Sequence, residues 1–355
     1  MSALAIIDHT AFAHNVGVLS ALVSPTEVML AVKADAYGHG MLPIASTALG
    51  SGAGSLAVLE IPAALTLRQA GIDCRLFAWL HGVDSDFETA VAHRVDLGVS
   101  ALWQLERIGR ASTRETPGRV HLKIDTGLHR NGALPEQWAE LVIAARTLAE
   151  RGLVTIEGIW SHLADASPVD DARAIDAYAT ALATADELGV RPAVRHLAAS
   201  SAGWREPRAR YDAVRFGIAA YGISPFNDVT GQGMGLRAVM TLQCRVSAEE
   251  APAGRRWITA GYADGVPLGG QAAEVSIGGR RHPVESVELA RTLIVAPEKI
   301  DDQAIVTVFG EPGTGVPSAE DWARWSDTIG DEIVTGVPTR VARRHDGVLS
   351  PTTVT

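Results

Sequence analysis

The sequence predicts an α/β protein: a (β/α)8 barrel as N-terminal domain, followed by a mostly β C-terminal domain. Three observations carry this. From about residue 27 to 225, short apolar runs alternate with longer amphipathic stretches. Eight such runs fall in this part, the strand count of a (β/α)8 barrel. After about Ser224 the texture changes to Val/Ile/Thr-rich runs broken by Gly and Pro. The boundaries follow from that change: residues 9–225 for the barrel, and 226–355 with 1–8 for the β domain.

The eight runs are 28–32, 55–59, 75–80, 95–99, 120–124, 156–160, 194–198 and 214–218. Strands buried on both faces read as continuous apolar runs, and strand–helix alternation implies right-handed βαβ units. Segments rich in Ala, Leu, Glu and Arg, such as 135–151 and 169–188, supply the helices. A doubly wound open sheet is the rival, but no Gly-x-Gly-x-x-Gly follows the first run. In the C-terminal part, 238–246, 257–260, 273–277 and 304–309 read as antiparallel strands. A late helix is expected over 319–329, after Pro317 and Ser318.

Composition narrows the function. A net charge of −10 argues against nucleic acid or an anionic membrane surface as partner. No apolar run is long enough to span a bilayer. The first residues lack a basic leader, and two cysteines, Cys74 and Cys244, cannot build a disulfide framework, so a cytoplasmic protein is expected. Of the 31 basic residues only three are lysines: Lys33, Lys123 and Lys299. Biased codon usage explains the scarcity but not the positions. Lys299 lies in a charged stretch and reads as a solvated surface residue.

Lys33 directly follows the first apolar run, where a barrel's functional loops begin. Burial depresses a lysine pKa and frees the amine for Schiff-base chemistry. On spacing alone, a lysine reaching solvent at a strand end explains it equally well.

The segment Ala31-Val32-Lys33-Ala34-Asp35-Ala36-Tyr37-Gly38-His39-Gly40 resembles the pyridoxal-phosphate lysine segment of alanine racemases. The resemblance continues collinearly through Val120-His121-Leu122-Lys123-Ile124-Asp125-Thr126-Gly127-Leu128-His129-Arg130 and Glu157-Gly158-Ile159-Trp160-Ser161-His162. It extends to Val214-Arg215-Phe216-Gly217-Ile218 and Ala260-Gly261-Tyr262-Ala263-Asp264-Gly265, and so covers essentially the whole chain. It implies a pyridoxal 5′-phosphate (PLP) enzyme that racemises a small amino acid, alanine by default, as a homodimer with shared active sites.

By the same resemblance, Lys33 holds the cofactor covalently and is one base. Tyr262, from the β domain of a second subunit, is the base on the opposite face. Racemisation removes a proton on one face and returns it on the other, so two bases are required. Tyrosine's reference pKa near 10 makes it a poor base unless neighbours assist, and His162 and Arg215 resemble the residues that tune it. Arg215 also faces the ring nitrogen. Arginine cannot give up its proton, so that nitrogen stays unprotonated and the cofactor becomes a weaker electron sink. Tyr37, Ser200 and the N–H groups of Gly217 and Ile218 hold the phosphate. Ser201 competes for the serine role, and spacing to Arg215 favours Ser200. Arg130 binds the substrate carboxylate, with Lys123, carbamylated in many such racemases, orienting it. No metal is expected.

Three departures touch the substrate side. Ala290 and Arg291 stand where the family has Met-Asp, at positions that contact substrate and entrance. Asp331 replaces an entrance tyrosine, and His129 stands where Gly or Asn is usual. A compensating Arg291–Asp331 ion pair is one reading. The other is a wider or more cationic mouth that takes a larger or anionic amino acid. Other Cα chemistry on this fold, or a weakly catalytic PLP-binding protein, are the remaining alternatives. A ring nitrogen without its proton disfavours decarboxylation, and the β domain with Tyr262 counts against a mere binding protein.

Overall fold

The structure, a computed structural model, describes residues 3–270, 272–297, 300–313 and 315–347. Lys299 lies outside the described residues. The chain forms two compact units: Leu19–Lys33 with Gly52–Gly217, and Met1–Val18 with Ala34–Ser51 and Ile218–Thr355. No described helix is long and apolar enough to cross a membrane.

The first strand, β1 (Leu4–Asp8), belongs to the second of these units. The other unit is built on eight parallel strands. They are β2 (Glu27–Ala31), β3 (Ser55–Val58), β4 (Arg75–Ala78), β5 (Asp96–Val99), β6 (Gly118–Lys123), β7 (Val154–Trp160), β8 (Val194–His196) and β9 (Ala213–Phe216). They pair in the order β8-β7-β6-β5-β4-β3-β2-β9. Backbone bonds from Asp212 N–H to Arg195 O (3.0 Å) and Arg215 N–H to Ala198 O (3.1 Å) draw β9 toward β8, so the barrel is nearly closed. Each strand falls on one of the eight apolar runs.

Met29, Ala57, Phe77 and Trp160 form a core cluster inside this unit. Full burial of a side chain such as Phe77 contributes about 2–3 kcal/mol. The helices start where local chemistry directs: Pro168 opens Pro168–Glu187, and the Ser167 hydroxyl caps it by accepting from Asp170 N–H (3.1 Å). Register then aligns the site. Lys123 pairs with Trp160 across β6 and β7, and Trp160 with His196 across β7 and β8.

The second unit carries β10 (Met240–Arg245), β11 (Arg255–Ile258), β12 (Glu274–Ile277), β13 (Arg280–Val287), β14 (Thr292–Val295), β15 (Ile305–Phe309) and β16 (Ala342–Asp346). With β1 they form one sheet in the order β11-β14-β13-β12-β15-β10-β1-β16. The apolar runs did not announce β1, β13, β14 or β16. β13 reads Arg-Arg-His-Pro-Val-Glu-Ser-Val, with a mostly accessible face and a register shift between Val284 and Ser286. The expected helix over 319–329 is corrected to Ala319–Trp325, with a separate helix at Gly330–Thr335. Asp327 between them adopts φ +53, a left-handed conformation that ends a helix.

Candidate active site

In the barrel unit, Lys33 follows directly after β2, and Arg215 sits on the neighbouring β9, its backbone paired with Met29. Arg215 is buried and heavily bonded. Nη1 donates to His196 Nδ1 (3.0 Å) and His196 O (2.9 Å). Nη2 donates to Ser161 O (2.7 Å), Leu197 O (2.8 Å) and His162 Nδ1 (3.2 Å). Its Nε–H has no acceptor among the described residues.

Arginine only donates, so His162 must accept at Nδ1 and carry its proton on Nε2. Burial, and then the charges of Arg215, Arg130, Lys123 and Lys33, hold its pKa well below the usual histidine range. His162 is therefore a neutral imidazole among cations, with Nε2–H left to donate.

Lys123 is buried at the end of β6, and its Nζ lies 4.5 Å from the centre of the Trp160 ring. The Arg215 guanidinium lies over the same ring at 5.2 Å, and Trp160 stacks parallel on His196. Lys123 Nζ has no hydrogen-bond or ion-pair partner among the described residues. Burial, helped by Arg215 and Arg130, pushes its pKa down to about 8. The exposed Arg130 ends a loop organised by Asp125, which accepts from Gly127 N–H (2.9 Å) and His129 N–H (3.1 Å). His129 holds φ +54, which explains physically why Gly or Asn suits that position.

Ser200 and Ser201 separate cleanly. The Ser200 hydroxyl is buried and accepts from Gly217 N–H (3.0 Å), whereas Ser201 bonds Asp165.

In the other unit, residues Ala34 to Tyr37 form a left-handed helical turn, with φ between +51 and +55. Such a turn costs about 1–2 kcal/mol per non-glycine residue. It is held by Gly38 N–H to Ala34 O (2.9 Å), Gly40 N–H to Asp35 O (3.0 Å) and Met41 N–H to Asp35 Oδ1 (2.7 Å). His39 Nδ1 adds bonds to the Ala36 and Tyr37 carbonyls, both 2.9 Å. Gly38 is obligatory, since at φ +79 a Cβ would lie 2.7 Å from Val334 O. The turn buries Tyr37 against Tyr221, with ring centroids 4.8 Å apart. Burial, and then the nearby Asp331 charge, push the Tyr37 phenol above its usual range. Ile218 opens the short 3-10 turn Ile218–Tyr221.

Tyr262 stands 57% exposed on its own unit. Its N–H donates to Glu288 O (2.8 Å), and Ala263 N–H donates to Leu289 O (2.8 Å), so the 288–291 turn carries it. Ala290 is exposed on that turn. Arg291 does not pair with Asp331. It pairs with Glu288 (2.8 Å) and Glu249 (2.7 Å), and lies 3.9 Å over the Trp257 ring. The expected compensating pair is thus corrected: the nearer glutamates neutralise this cation. A Cβ on Gly261 would sit 2.4 Å from Glu288 O and 2.5 Å from Arg291 N. Gly261→Ala is expected to displace Tyr262 and lower kcat at least tenfold, with the folded circular-dichroism spectrum kept. Unchanged kcat would separate this turn from function.

Sequence reasoning missed Trp160 and His196 as site components, because their signal is a register between strands. It also missed the left-handed turn, for which Gly38 and Gly40 are the only local hint.

Residues 7–225 match the family model described as "Alanine racemase, N-terminal domain", and residues 248–345 match "Alanine racemase, C-terminal domain". The curated alanine racemase of Beutenbergia cavernae is 36% identical, covering 97% of this chain and 98% of that protein. That of Salinispora tropica is 38% identical over 96% and 97%. Among solved structures, the alanine racemase of a D-cycloserine-producing Streptomyces lavendulae superposes with a TM-score of 0.94 at 34% identity, covering 98% of each chain. That of Streptomyces coelicolor A3(2) gives 0.93 at 35%, also covering 98% of each.

Proposed function

This chain belongs to the alanine racemase family, and from that premise we propose that it interconverts L- and D-alanine with pyridoxal 5′-phosphate as cofactor. The observation that carries this reading is Arg215: buried, fixed by five hydrogen bonds, yet keeping Nε–H unpaired among the described residues. That donor suits a pyridine nitrogen that lacks a proton. The rest of the donor set fits the cofactor equally well. Lys33 offers the primary amine for covalent attachment. The Ser200 hydroxyl, Ile218 N–H and the Tyr37 phenol offer donors for a phosphate, with Gly217 N–H holding the Ser200 oxygen beside them.

When bound, the cofactor supplies an electron sink conjugated to the substrate Cα. The chain supplies the proton traffic. Lys33 Nζ serves one side of Cα and Tyr262 Oη the other, with the neutral His162 and Arg215 tuning the tyrosine. Arg130 binds the substrate carboxylate. Tyr262 is supplied by a second subunit, and its exposure beside exposed Leu289 and Leu268 supports a homodimer whose β domain completes its partner's site. The domains are residues 9–225, and 226–355 with 1–8. Unpaired Cys74 and Cys244 support a reducing, cytoplasmic setting.

Purified protein is expected to be yellow and to equilibrate the alanine enantiomers. Across an amino-acid panel followed by loss of optical rotation, alanine is expected to be the best substrate. An anionic substrate preferred over alanine would overturn the reading. The cationic-mouth alternative is disfavoured, because Glu249 and Glu288 cancel Arg291.

Lys123 provides a separate test. A carbamate forms only on the neutral amine, and with its pKa near 8 this lysine is part-neutral at working pH. Incubation with 13C-bicarbonate is expected to give one carbamate resonance, absent in Lys123→Arg and fading as pH falls below about 8. A spectrum without that resonance would leave Lys123 as an unmodified amine that orients Arg130 by repulsion.

A further inference from the structure

A barrel interior is ordinarily filled by layers of branched apolar side chains. Here Asp96, His121 and His196 are all fully buried in the barrel unit and joined end to end. His196 Nε2 lies 2.8 Å from His121 Nδ1, and His121 Nε2 lies 3.1 Å from Asp96 Oδ2. At the other end, Arg215 Nη1 donates to His196 Nδ1. Arg119 and Arg75 hold the Asp96 carboxylate, and Glu157 pairs with both. Space is reserved for the row: a Cβ on Gly158 would lie 2.1 Å from His121 Nδ1. The Phe77 ring covers both histidines, with centroids at 4.7 and 5.2 Å.

Hydrogen-bond chemistry permits one direction only. Because arginine donates, His196 accepts at Nδ1 and carries its proton on Nε2. His121 must then accept at Nδ1, so it too carries its proton on Nε2 and donates it to Asp96. Every proton in the row points from Arg215 toward the carboxylate.

We infer that Asp96, His121 and His196 are positioning residues: a one-way hydrogen-bond relay that clamps Arg215 so that its Nε–H stays turned to the cofactor ring nitrogen. This rests on the proposed role of Arg215. The relay fixes Nη1 from behind and ends on a buried carboxylate that Arg75 and Arg119 hold in place. Buried polar groups of this kind are costly unless every member is satisfied, and here each bond supports the next. A loosened Arg215 lets the ring nitrogen gain a proton and makes the cofactor a stronger electron sink. The side reaction that then grows is transamination. In it water would replace nitrogen at Cα, so that the amino acid would leave as its 2-keto acid while its amino group, the Cα proton and the two electrons of the Cα–H bond stayed on the cofactor.

The test measures keto acid formed per racemisation turnover in the holoenzyme. His121→Phe removes two of the relay's three bonds and is expected to raise this ratio by about tenfold, the size of one hydrogen bond to a charged group. His121→Gln keeps an acceptor for His196 and a donor for Asp96, and is expected to restore the wild-type ratio. Arg215→Lys is the control. If it raises the ratio while His121→Phe does not, the relay is overturned and the Arg215 assignment stands. If neither raises it, the ring-nitrogen assignment fails and takes the relay with it. Should His121→Phe not fold, side-chain 15N resonances of the wild type decide. Protonated Nε2 on both histidines is expected, and a protonated Nδ1 on either overturns the relay.

Discussion

Lys33→Ala is expected to abolish the visible chromophore of the purified protein and to lower racemisation by at least about 10³-fold. Loss of one positioned acid–base group costs about 10²–10⁴, and here the covalent attachment of the cofactor is lost as well. The position permits a clean experiment. Lys33 lies after β2 and before a turn held by bonds that join residues 34–41. The fold is therefore expected to survive, and circular dichroism together with absorbance separates the two outcomes. A yellow, active Lys33→Ala protein would place the cofactor amine elsewhere.

Tyr262→Phe is the second large effect, and its signature is asymmetric. Two bases on opposite sides of Cα predict that exchange of the Cα proton with deuterium persists for one enantiomer. Exchange of the other, and net racemisation, fall by roughly 10²–10⁴. Tyr262 is more than half exposed on its own unit, so loss of the hydroxyl shifts stability by no more than about 0.5 kcal/mol. Exchange of both enantiomers at the wild-type rate would end the two-base assignment. Gly261→Ala bears on the same hydroxyl through the backbone, because Gly261 packs on the 288–291 turn that holds Tyr262.

The eight barrel strands were legible because a strand buried on both faces leaves a run of apolar residues that needs no context. β13 and β16 were not. Each alternates or carries charge, and becomes a strand only because β12 and β14, or β1, lie beside it. The candidate site divides the same way. Lys33, Tyr262, Arg215 and Arg130 lie in motifs that were readable only as a collinear set, since each alone has an ordinary structural explanation. Arg291 was readable as a cation but not as a neutralised one, since Glu249 reaches it from 42 residues away.

What the sequence by itself determined is local: the apolar periods, the Pro and Ser helix starts, and the three lysine positions. Two of those lysines now have physical settings, one after β2 and one buried under two arginine charges with its pKa pushed down to about 8. Only the tertiary structure decided the left-handed turn at Ala34 to Tyr37, and the direction of the hydrogen bonds from Arg215 through His196 and His121 to Asp96. No local propensity favours four left-handed residues without glycine, nor a carboxylate and two imidazoles in a barrel core. Both are unfavourable alone: the turn persists through bonds among residues 34–41 and the packing of Tyr37 on Tyr221, the row through bonds between strands distant in sequence.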